Sequence, residues 1–324
     1  MYSSKELLQT LEDAIKALPL ECEPKGLYEP IRYVLSLGGK RIRPALMLMA
    51  YNLYREDITP CVMPAIGLEI YHNFTLLHDD LMDRAEVRRG KTCVHLKWDD
   101  NTAILCGDNM LVLAFKYMMQ CDNTKMAEIM HTFTKTTIEI NEGQQYDIDF
   151  ESRNDVTEEE YIEMIRLKTS VLLACALQIG ATLGGASKED AQALYRFGER
   201  LGLAFQLQDD YLDVYGNPDV FGKRIGGDIL CNKKTFMLIN ALRHASTEEH
   251  DELQKWIDNT DCNPNEKIQA VTALFSKIGV DKLAQKRINE YSAEAETYLN
   301  KVNLPQERKQ ILQDIAHKLM GRQS

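Results

Sequence analysis

The sequence predicts an all-α protein that forms one helical bundle. Apolar side chains recur at helical spacing along most of the 324 residues, and no run shows the strict alternation typical of a strand. Nine prolines leave room for long helices, and an apolar content of 44% is enough to bury a sizeable core. No segment rich in proline, glycine or serine divides the chain. We therefore predict a single domain that spans residues 1–324.

The predicted helices follow one another closely. The first lies at the N-terminus, where Leu7, Leu11 and Ile15 share a helix face among charged residues that are untypical of a signal peptide. Apolar periodicity predicts the remaining helices over residues 28–53, 61–83, 99–120, 124–149, 157–184, 188–215, 233–245, 264–278, 280–300 and 305–320.

Local signals mark several helix limits. Thr157 and Ser187 each precede an acidic residue by three positions, which is a capping-box arrangement at the start of a helix. The glycine pairs at 184–185 and 226–227 indicate helix ends or loops.

Composition excludes several function classes. The net charge of −11 argues against a nucleic-acid surface, because such surfaces are usually basic. Eight cysteines occur without a C-x-x-C pair, so no zinc ribbon or thioredoxin-type motif is indicated, and scattered free thiols fit a reducing compartment. No unbroken apolar run reaches the roughly 18 residues of a membrane span. We expect a cytoplasmic protein without stable membrane insertion or a nucleic-acid partner.

Two aspartate-rich clusters of the form D-D-x-x-D require an explanation. They comprise Asp79, Asp80 and Asp83 and, 130 residues later, Asp209, Asp210 and Asp213. Each cluster ends an apolar stretch, and buried carboxylates must be paired or bound to metal. Carboxylates supplied by two helices suit Mg²⁺, which completes its shell with water and phosphate oxygens. A solvated acidic helix end would explain one such cluster equally well, but explains two of them poorly.

A calcium loop is a further alternative for the acidic residues between 147 and 158. Asp147, Asp149 and Glu151 have part of the required spacing. However, Ser152 stands where such a loop needs glycine, and strong helices flank the segment too closely. We therefore do not favour this interpretation.

Basic residues occur near both clusters. They are Lys40 and Arg43 upstream of the first, Arg88, Arg89 and Lys91 after it, and Lys223 and Lys233 after the second. Arginine forks bind phosphate oxygens in pairs, while lysines act as point charges. Each basic run alone could be a solvated face. Together with the acidic clusters, in an otherwise acidic chain, they indicate diphosphate binding. Neither Gly-Lys pair forms a P-loop, because Val34 and Asn217 occupy the positions of the first glycine.

The ordered set of motifs resembles the trans-prenyltransferases, or polyprenyl diphosphate synthases. The matching residues are Gly38-Gly39-Lys40-Arg41, Arg43-Pro44, His72, Asp79-Asp80, Asp83, Arg88-Arg89-Gly90-Lys91, Gly143-Gln144, Lys168-Thr169, Phe205-Gln206, Asp209-Asp210, Asp213, Gly222-Lys223 and Lys233. The resemblance implies an isoprenoid-synthase-type bundle around a central cavity, and a homodimer. It also implies a head-to-tail condensation of isopentenyl diphosphate with allylic diphosphates of C5 to C15, in which the allylic diphosphate ionises and a proton is lost after attack.

The resemblance also implies a role for each motif residue. Asp79, Asp83 and Asp209 would ligate three Mg²⁺ ions that bridge the allylic diphosphate, with Asp80, Asp210 and Asp213 as further ligands or supporting groups. The residues expected to hold the allylic diphosphate are Arg88, Lys168, Lys223 and Lys233. Those expected to hold isopentenyl diphosphate are Lys40, Arg43, His72 and Arg89. Thr169 and Gln206 would stabilise the carbocation by their dipoles. A purely structural role is the alternative for His72.

Product length is expected to depend on the residues before the first cluster, which form the pocket floor in the family. Phe74 and Tyr71 lie five and eight residues before Asp79, hence roughly 7 and 12 Å deeper along a helix. Thr75 is small where animal-type farnesyl synthases carry a second aromatic residue, and the cluster lacks the two-residue insertion of bacterial ones. We expect C15–C20 products, with geranylgeranyl (C20) favoured over farnesyl (C15). Both rings could instead be ordinary core residues.

Two other functions share part of this pattern. A terpene cyclase uses the same first cluster but usually carries an Asn/Asp–Ser/Thr–Glu triad at its second site, which here is a second D-D-x-x-D. A non-catalytic partner of a prenyltransferase tends to lose aspartates, and none is lost here. A synthase therefore explains the sequence best.

Overall fold

The computed structural model describes residues 1–217, 225–259 and 261–321. The helices are α1 Ser4–Lys16, α2 Lys25–Ser36, α3 Ile42–Asn52, α4 Thr59–Met82, α5 Val94–Lys97, α6 Asp100–Met118, α7 Met126–Glu151, α8 Glu158–Ile165, α9 Val171–Gly184, α10 Lys188–Tyr215, α11 Gly227–Leu230, α12 Phe236–His244, α13 Thr247–Asp258, α14 Pro264–Ile278, α15 Val280–Asn300 and α16 Gln306–Met320. A π-helical turn, Arg166–Ser170, joins α8 to α9. The all-α prediction is confirmed.

Strands occur where none was predicted. β1 (Val87–Arg88) and β2 (Lys91–Thr92) form a two-residue antiparallel hairpin, with Val87 opposite Thr92 and Arg88 opposite Lys91. Strands this short contain no run long enough to show alternation, so the sequence pattern could not reveal them.

The helix predicted over residues 28–53 is in fact broken into α2 and α3. The break contains Gly38 at φ 74°, Gly39 at φ 138° and Arg41 at φ 45°, all outside the helical region. Glycine adopts these angles without a steric penalty, which explains the Gly-Gly pair at this turn. A second deviation is α13, which was not predicted although a capping box formed by Ser246 and Glu249 begins it.

The predicted caps are confirmed. The Thr157 hydroxyl accepts from the Glu160 backbone N–H at 3.2 Å, and the Ser187 hydroxyl accepts from the Asp190 N–H at 3.0 Å. Gly185 and Gly226 have positive φ, as expected for residues at helix ends. These contacts set where α8, α10 and α11 begin and where α9 ends.

The chain forms two compact units. The first contains residues 1–134, 175–192 and 304–312, and the second contains residues 135–174, 193–303 and 313–324. In the first unit, α4 packs along α6 and α3. In the second, apolar side chains of α8, α12, α14 and α15 form a continuous core that includes Phe236, Leu274 and Phe275. The prediction of a single domain stays a prediction.

One segment, Glu158–Gly184, is long and apolar enough to cross a membrane by length and composition. Of its apolar window, 78% is buried inside the protein, as in the core helix of a soluble protein. The sequence of this segment contains no unbroken apolar run, because charged residues such as Lys168 interrupt it. All eight cysteines are free thiols.

Candidate active site

The first aspartate cluster lies at the C-terminal end of α4. Asp80 faces inward and is 6% exposed, whereas Asp79 is half-buried and Asp83 is exposed just beyond the helix end. Arg88 of the hairpin donates from Nε to both carboxylate oxygens of Asp80, at 2.9 and 3.2 Å. Its Nη2 also lies 3.8 Å from the Asp79 carboxylate. Asp80 therefore fixes Arg88 beside Asp79, while Asp79 and Asp83 share the more accessible helix face.

The hairpin turn brings the second arginine to the Gly-Gly motif. Arg89, at φ 52°, occupies the turn with Gly90, and its guanidinium donates to the Gly38 carbonyl. A Cβ on Gly39 would lie 2.8 Å from the Arg89 guanidinium carbon, so a larger residue at this position would displace the Arg89 side chain. Residues 50 positions apart are thus gathered at one end of α4.

His72 joins the same group. Its Nε2 lies 3.1 Å from Nη1 of Arg43, which donates, because an arginine has no acceptor. Burial, followed by the charges of Arg43 and Arg89, lowers the pKa of His72 well below its ordinary value. The ring is therefore neutral at neutral pH. Lys40 is exposed in the turn before α3. The structure brings Arg43, His72 and Arg89 close together. That they bind one substrate stays a prediction.

The second cluster lies near the C-terminal end of α10. Asp210 is 4% exposed, and its carboxylate accepts from the Tyr161 hydroxyl and from Gln206 Nε2 at 3.1 Å. Burial, with a further contribution from Asp228, raises the pKa of Asp210 to about 7. The Asp213 carboxylate accepts from the Asp228 backbone N–H at 3.0 Å. Asp209 is half-buried, on a different side of the helix from Asp210.

Two predicted cations converge on one carboxylate that the sequence analysis did not assign. Nζ of Lys168 lies 2.6 Å from Asp147 Oδ2, and Nζ of Lys233 lies 3.8 Å from the same oxygen. Burial acts to raise the pKa of Asp147, but the two lysines outweigh it and hold the pKa below its usual range. A signal was available, since Asp147 follows the Gly143 motif by four residues on one helix face.

The π-helical turn presents Lys168 and Thr169 to this group. The Thr169 hydroxyl donates to Gln206 Oε1 at 3.2 Å, which joins the turn to α10. Two glycines make room for it: a Cβ on Gly143 would lie 2.4 Å from the Lys168 backbone nitrogen, and one on Gly202 would lie 2.6 Å from Ser170 Cα. Single π turns inside helices are frequent at functional sites. Lys223 lies outside the described residues.

The carboxylates fit magnesium only together with a phosphate ligand. In the parts of the chain that the structure describes, no group of three or more His, Cys, Asp and Glu side chains could hold a metal unaided. Asp80 and Asp210 are engaged by Arg88 and by Tyr161 with Gln206. One or two carboxylates at each cluster, completed by water and substrate oxygens, is the arrangement that Mg²⁺ prefers.

A family comparison identifies the chain. The polyprenyl synthetase family matches residues 24–274. The chain belongs to this family. It is therefore a prenyltransferase, as the sequence predicted.

Individual relatives agree with this assignment. A geranylgeranyl diphosphate synthase of Methanosarcina mazei is 38% identical over 302 residues, which cover 86% of this chain and 92% of the relative. A geranylfarnesyl diphosphate synthase of Natronomonas pharaonis is 40% identical over 71% of this chain and 72% of its own. The crystal structure of a geranylgeranyl pyrophosphate synthase is 42% identical, with a TM-score of 0.95 and 100% of both chains covered. The predicted isoprenoid-synthase fold is thereby confirmed.

Proposed function

We propose that this family member is a short-chain trans-prenyl diphosphate synthase that condenses isopentenyl diphosphate with allylic diphosphates in head-to-tail fashion. One observation carries the proposal: each aspartate cluster has its own set of cations. Arg43, Arg88 and Arg89 gather along α4 and just after it, with the neutral His72 beside Arg43, while Lys168 and Lys233 gather at Asp147. These cations together can serve two diphosphates, each of which carries several negative charges.

Isopentenyl diphosphate binds at the Lys40–Arg43 turn in this proposal. Arg43, Arg89 and Lys40 supply charge, and neutral His72 orients the Arg43 guanidinium by accepting at 3.1 Å. The low pKa of His72 keeps it an acceptor at neutral pH. A protonated His72 ring would be positively charged, would repel the Arg43 guanidinium and could not accept a hydrogen bond from it.

The allylic diphosphate binds between metal and cations. Arg88, held by Asp80, and Lys168, held by Asp147, would supply positive charge to it, and Lys223 and Lys233 would add to that set. Three Mg²⁺ ions, ligated by Asp79, Asp83 and Asp209, would neutralise the charge that develops on the leaving diphosphate. Asp80, Asp210 and Asp213 act mainly by positioning, since each already accepts a hydrogen bond from the protein.

The carbocation is stabilised by dipoles in this proposal. The Thr169 hydroxyl and the Gln206 amide are linked at 3.2 Å, and Gln206 is in turn held by Asp210. Fixed dipoles of this kind require no reorganisation during reaction. The released diphosphate accepts the final proton, so no serine or cysteine nucleophile takes part.

Products of C15–C20 are proposed, with C20 favoured. Tyr71 and Phe74 are buried on α4, with ring centroids 5.6 Å apart. Phe133 contacts Tyr71 at 5.5 Å, and His78 contacts Phe74 at 4.8 Å, so the rings form a continuous wall below the first cluster. Relatives named as geranylgeranyl and geranylfarnesyl diphosphate synthases, at 38% and 40% identity, support a short-chain product.

We also propose a cytoplasmic homodimer. One side of α6, together with the residue that follows the helix, exposes large apolar side chains at helical spacing. They are Ile104, Leu105, Val112 and Met119. An exposed apolar stripe of this kind is typical of a protein–protein interface. Replacement of Leu105 and Val112 by aspartate should give a monomer by light scattering. A dimer that persists in this variant would contradict the assignment of the interface.

One assay tests the function. The protein is incubated with Mg²⁺, isopentenyl diphosphate and allylic diphosphates of increasing length. Chain-extended diphosphates are the expected products. They should no longer form after Mg²⁺ is removed by chelation. Hydrocarbon products would indicate a cyclase, and the absence of turnover with every primer would indicate a non-catalytic partner. Asp79→Ala serves as the inactive control.

A further inference from the structure

Arg41 differs from the two cations that flank it in the same motif. Lys40 is exposed and Arg43 is half-buried, but Arg41 is 4% exposed and its side chain points into the first unit. Its backbone lies in the left-handed region, at φ 45° and ψ 34°, which is unfavourable for a residue other than glycine. Such a conformation persists only where surrounding contacts impose it.

A buried network imposes that conformation. Arg41 donates from Nη1 to Glu69 Oε1 at 2.7 Å, from Nε to Glu12 Oε1 at 2.9 Å, and from Nη2 to the Leu35 carbonyl at 2.8 Å. All three guanidinium nitrogens are therefore used. The two carboxylates come from α1 and α4, and the carbonyl comes from α2, so one side chain joins three helices to the turn.

Glu69 is as enclosed as Arg41. It is 2% exposed, and its Oε1 also accepts from Asn73 Nδ2 at 2.9 Å. Glu69 lies three residues before His72 and ten before Asp79 on α4. The network thus fixes the turn that carries Lys40 and Arg43 against the helix that carries His72 and the first aspartate cluster.

We infer that Arg41 and Glu69 are positioning residues that set the affinity for isopentenyl diphosphate by holding Lys40 and Arg43 in register with His72. Neither side chain touches the substrate. The inference rests on the proposed binding of isopentenyl diphosphate at this turn. It goes beyond that proposal because it assigns the affinity of the site to a buried ion pair behind it.

The other residues with a left-handed backbone also lie in or beside the predicted binding motifs. Within residues 1–217, 225–259 and 261–321, the residues other than glycine with positive φ are Arg41, Arg84, Arg89 and Asn232. Each lies in a predicted binding motif or beside one of its residues. Left-handed residues that cluster in this way are characteristic of sites where geometry is imposed for function.

A merely structural ion pair would behave differently. Its loss would lower stability and reduce the use of both substrates together. Loss of positioning should raise KM for isopentenyl diphosphate and leave KM for the allylic diphosphate near its wild-type value. A displacement of about 1 Å in a binding group can lower the rate roughly 100-fold, so an effect on kcat/KM of roughly 10- to 100-fold is expected.

Steady-state kinetics of the full chain test the inference, with each substrate varied in turn below the melting temperature of every variant. For Arg41→Met and Glu69→Gln, KM for isopentenyl diphosphate should rise about tenfold, by the same reasoning on displacement. Arg41→Lys retains the charge but not the fork, and should be intermediate. The matched control is Arg287→Met, because Arg287 also pairs with two carboxylates, Glu158 and Glu290. It should leave both KM values within about twofold, because neither Arg287 nor its two partners belong to a predicted binding motif.

A double variant removes the effect of instability. Arg41→Met combined with Glu69→Leu leaves no uncompensated buried charge of this pair, so its melting temperature should exceed that of Arg41→Met alone. Its KM for isopentenyl diphosphate should remain high, since the turn is still unanchored. An unchanged KM in a folded Arg41→Met variant, or an equal change for both substrates, would overturn the inference.

Two further variants distinguish a failure of the inference from a failure of the proposed function. Lys40→Ala and Arg43→Ala should both raise KM for isopentenyl diphosphate. If neither does, the proposed substrate position is wrong. If both do while Arg41→Met and Glu69→Gln do not, only the positioning role is wrong.

Discussion

Shortening the aromatic side chains below the first aspartate cluster should lengthen the product. Phe74 and Tyr71 precede Asp79 by five and eight residues, so at 1.5 Å per residue they lie about 7.5 and 12 Å below it along α4. Phe74→Ala should therefore open the floor by about 4.5 Å, to the level of Tyr71, by the same rise per residue. The double variant Tyr71→Ala/Phe74→Ala should open it further.

The substitutions should also destabilise the first unit. Phe74 and Tyr71 are 9% and 1% exposed, and Tyr71 packs edge-on against Phe133. Phenylalanine-to-alanine changes in a core cost about 3–5 kcal/mol, so the assays must be run well below the melting temperature. Phe275→Ala, in the core of the second unit, is the matched control, because Phe275 is 2% exposed and remote from α4 in sequence.

Product analysis tests whether these two rings limit the length of the product. Each variant is incubated with excess isopentenyl diphosphate and farnesyl diphosphate, and the dephosphorylated products are separated by chromatography. We expect the main product to move beyond the wild-type length in Phe74→Ala and again in the double variant, but not in Phe275→Ala. If both α4 variants remain folded and active with the wild-type product distribution, the rings are ordinary core residues.

Three other predictions concern the two clusters. Asp80→Asn should weaken the hydrogen bonds that hold Arg88. The free energy of unfolding should fall by about 1–3 kcal/mol in urea titrations, and KM for the allylic diphosphate should rise. If both quantities stay unchanged, Asp80 has no positioning role. Gly143→Ala should push on the Lys168 backbone and lower kcat/KM at least tenfold, an amount expected for a displaced binding group, whereas Gly26→Ala, which meets nothing, should not. In the metal-free protein, burial raises the pKa of Asp210 from 3.8 to about 7, so the stability linked to its protonation is present below pH 3.8 and is lost as pH rises through 7. The melting temperature should therefore fall across the interval between these two pKa values, and less so in Asp210→Asn, as measured by calorimetry.

Local patterns predicted most of the helices and supplied the candidate site residues, whose roles stay predictions. A helix is specified by side chains a few positions apart, so apolar periodicity predicted the α10 bounds, and Thr157 and Ser187 predicted the α8 and α10 starts. The chemistry of the site was similarly local, since two carboxylates three or four residues apart share one helix face. The break at residues 37–41 was missed, although the Gly-Gly pair was visible.

Only the tertiary structure decided how the charged residues divide their work. Asp80 and Asp210 look equivalent to Asp79 and Asp209 in sequence, yet they are buried and bound by Arg88 and by Tyr161. Their partners lie 8 and 49 residues away, beyond any local spacing rule.

The same holds for residues to which the sequence assigned no role in the site. Asp147, which gathers Lys168 and Lys233, is recognised only when α7 is placed beside the π-helical turn. Arg41 stands between Lys40 and Arg43 in the sequence, and its burial against Glu69 depends on the packing of α4. The sequence by itself therefore determined which chemical groups are present and which helices carry them. Burial and long-range pairing, which set pKa values and side-chain direction, were decided by the tertiary structure.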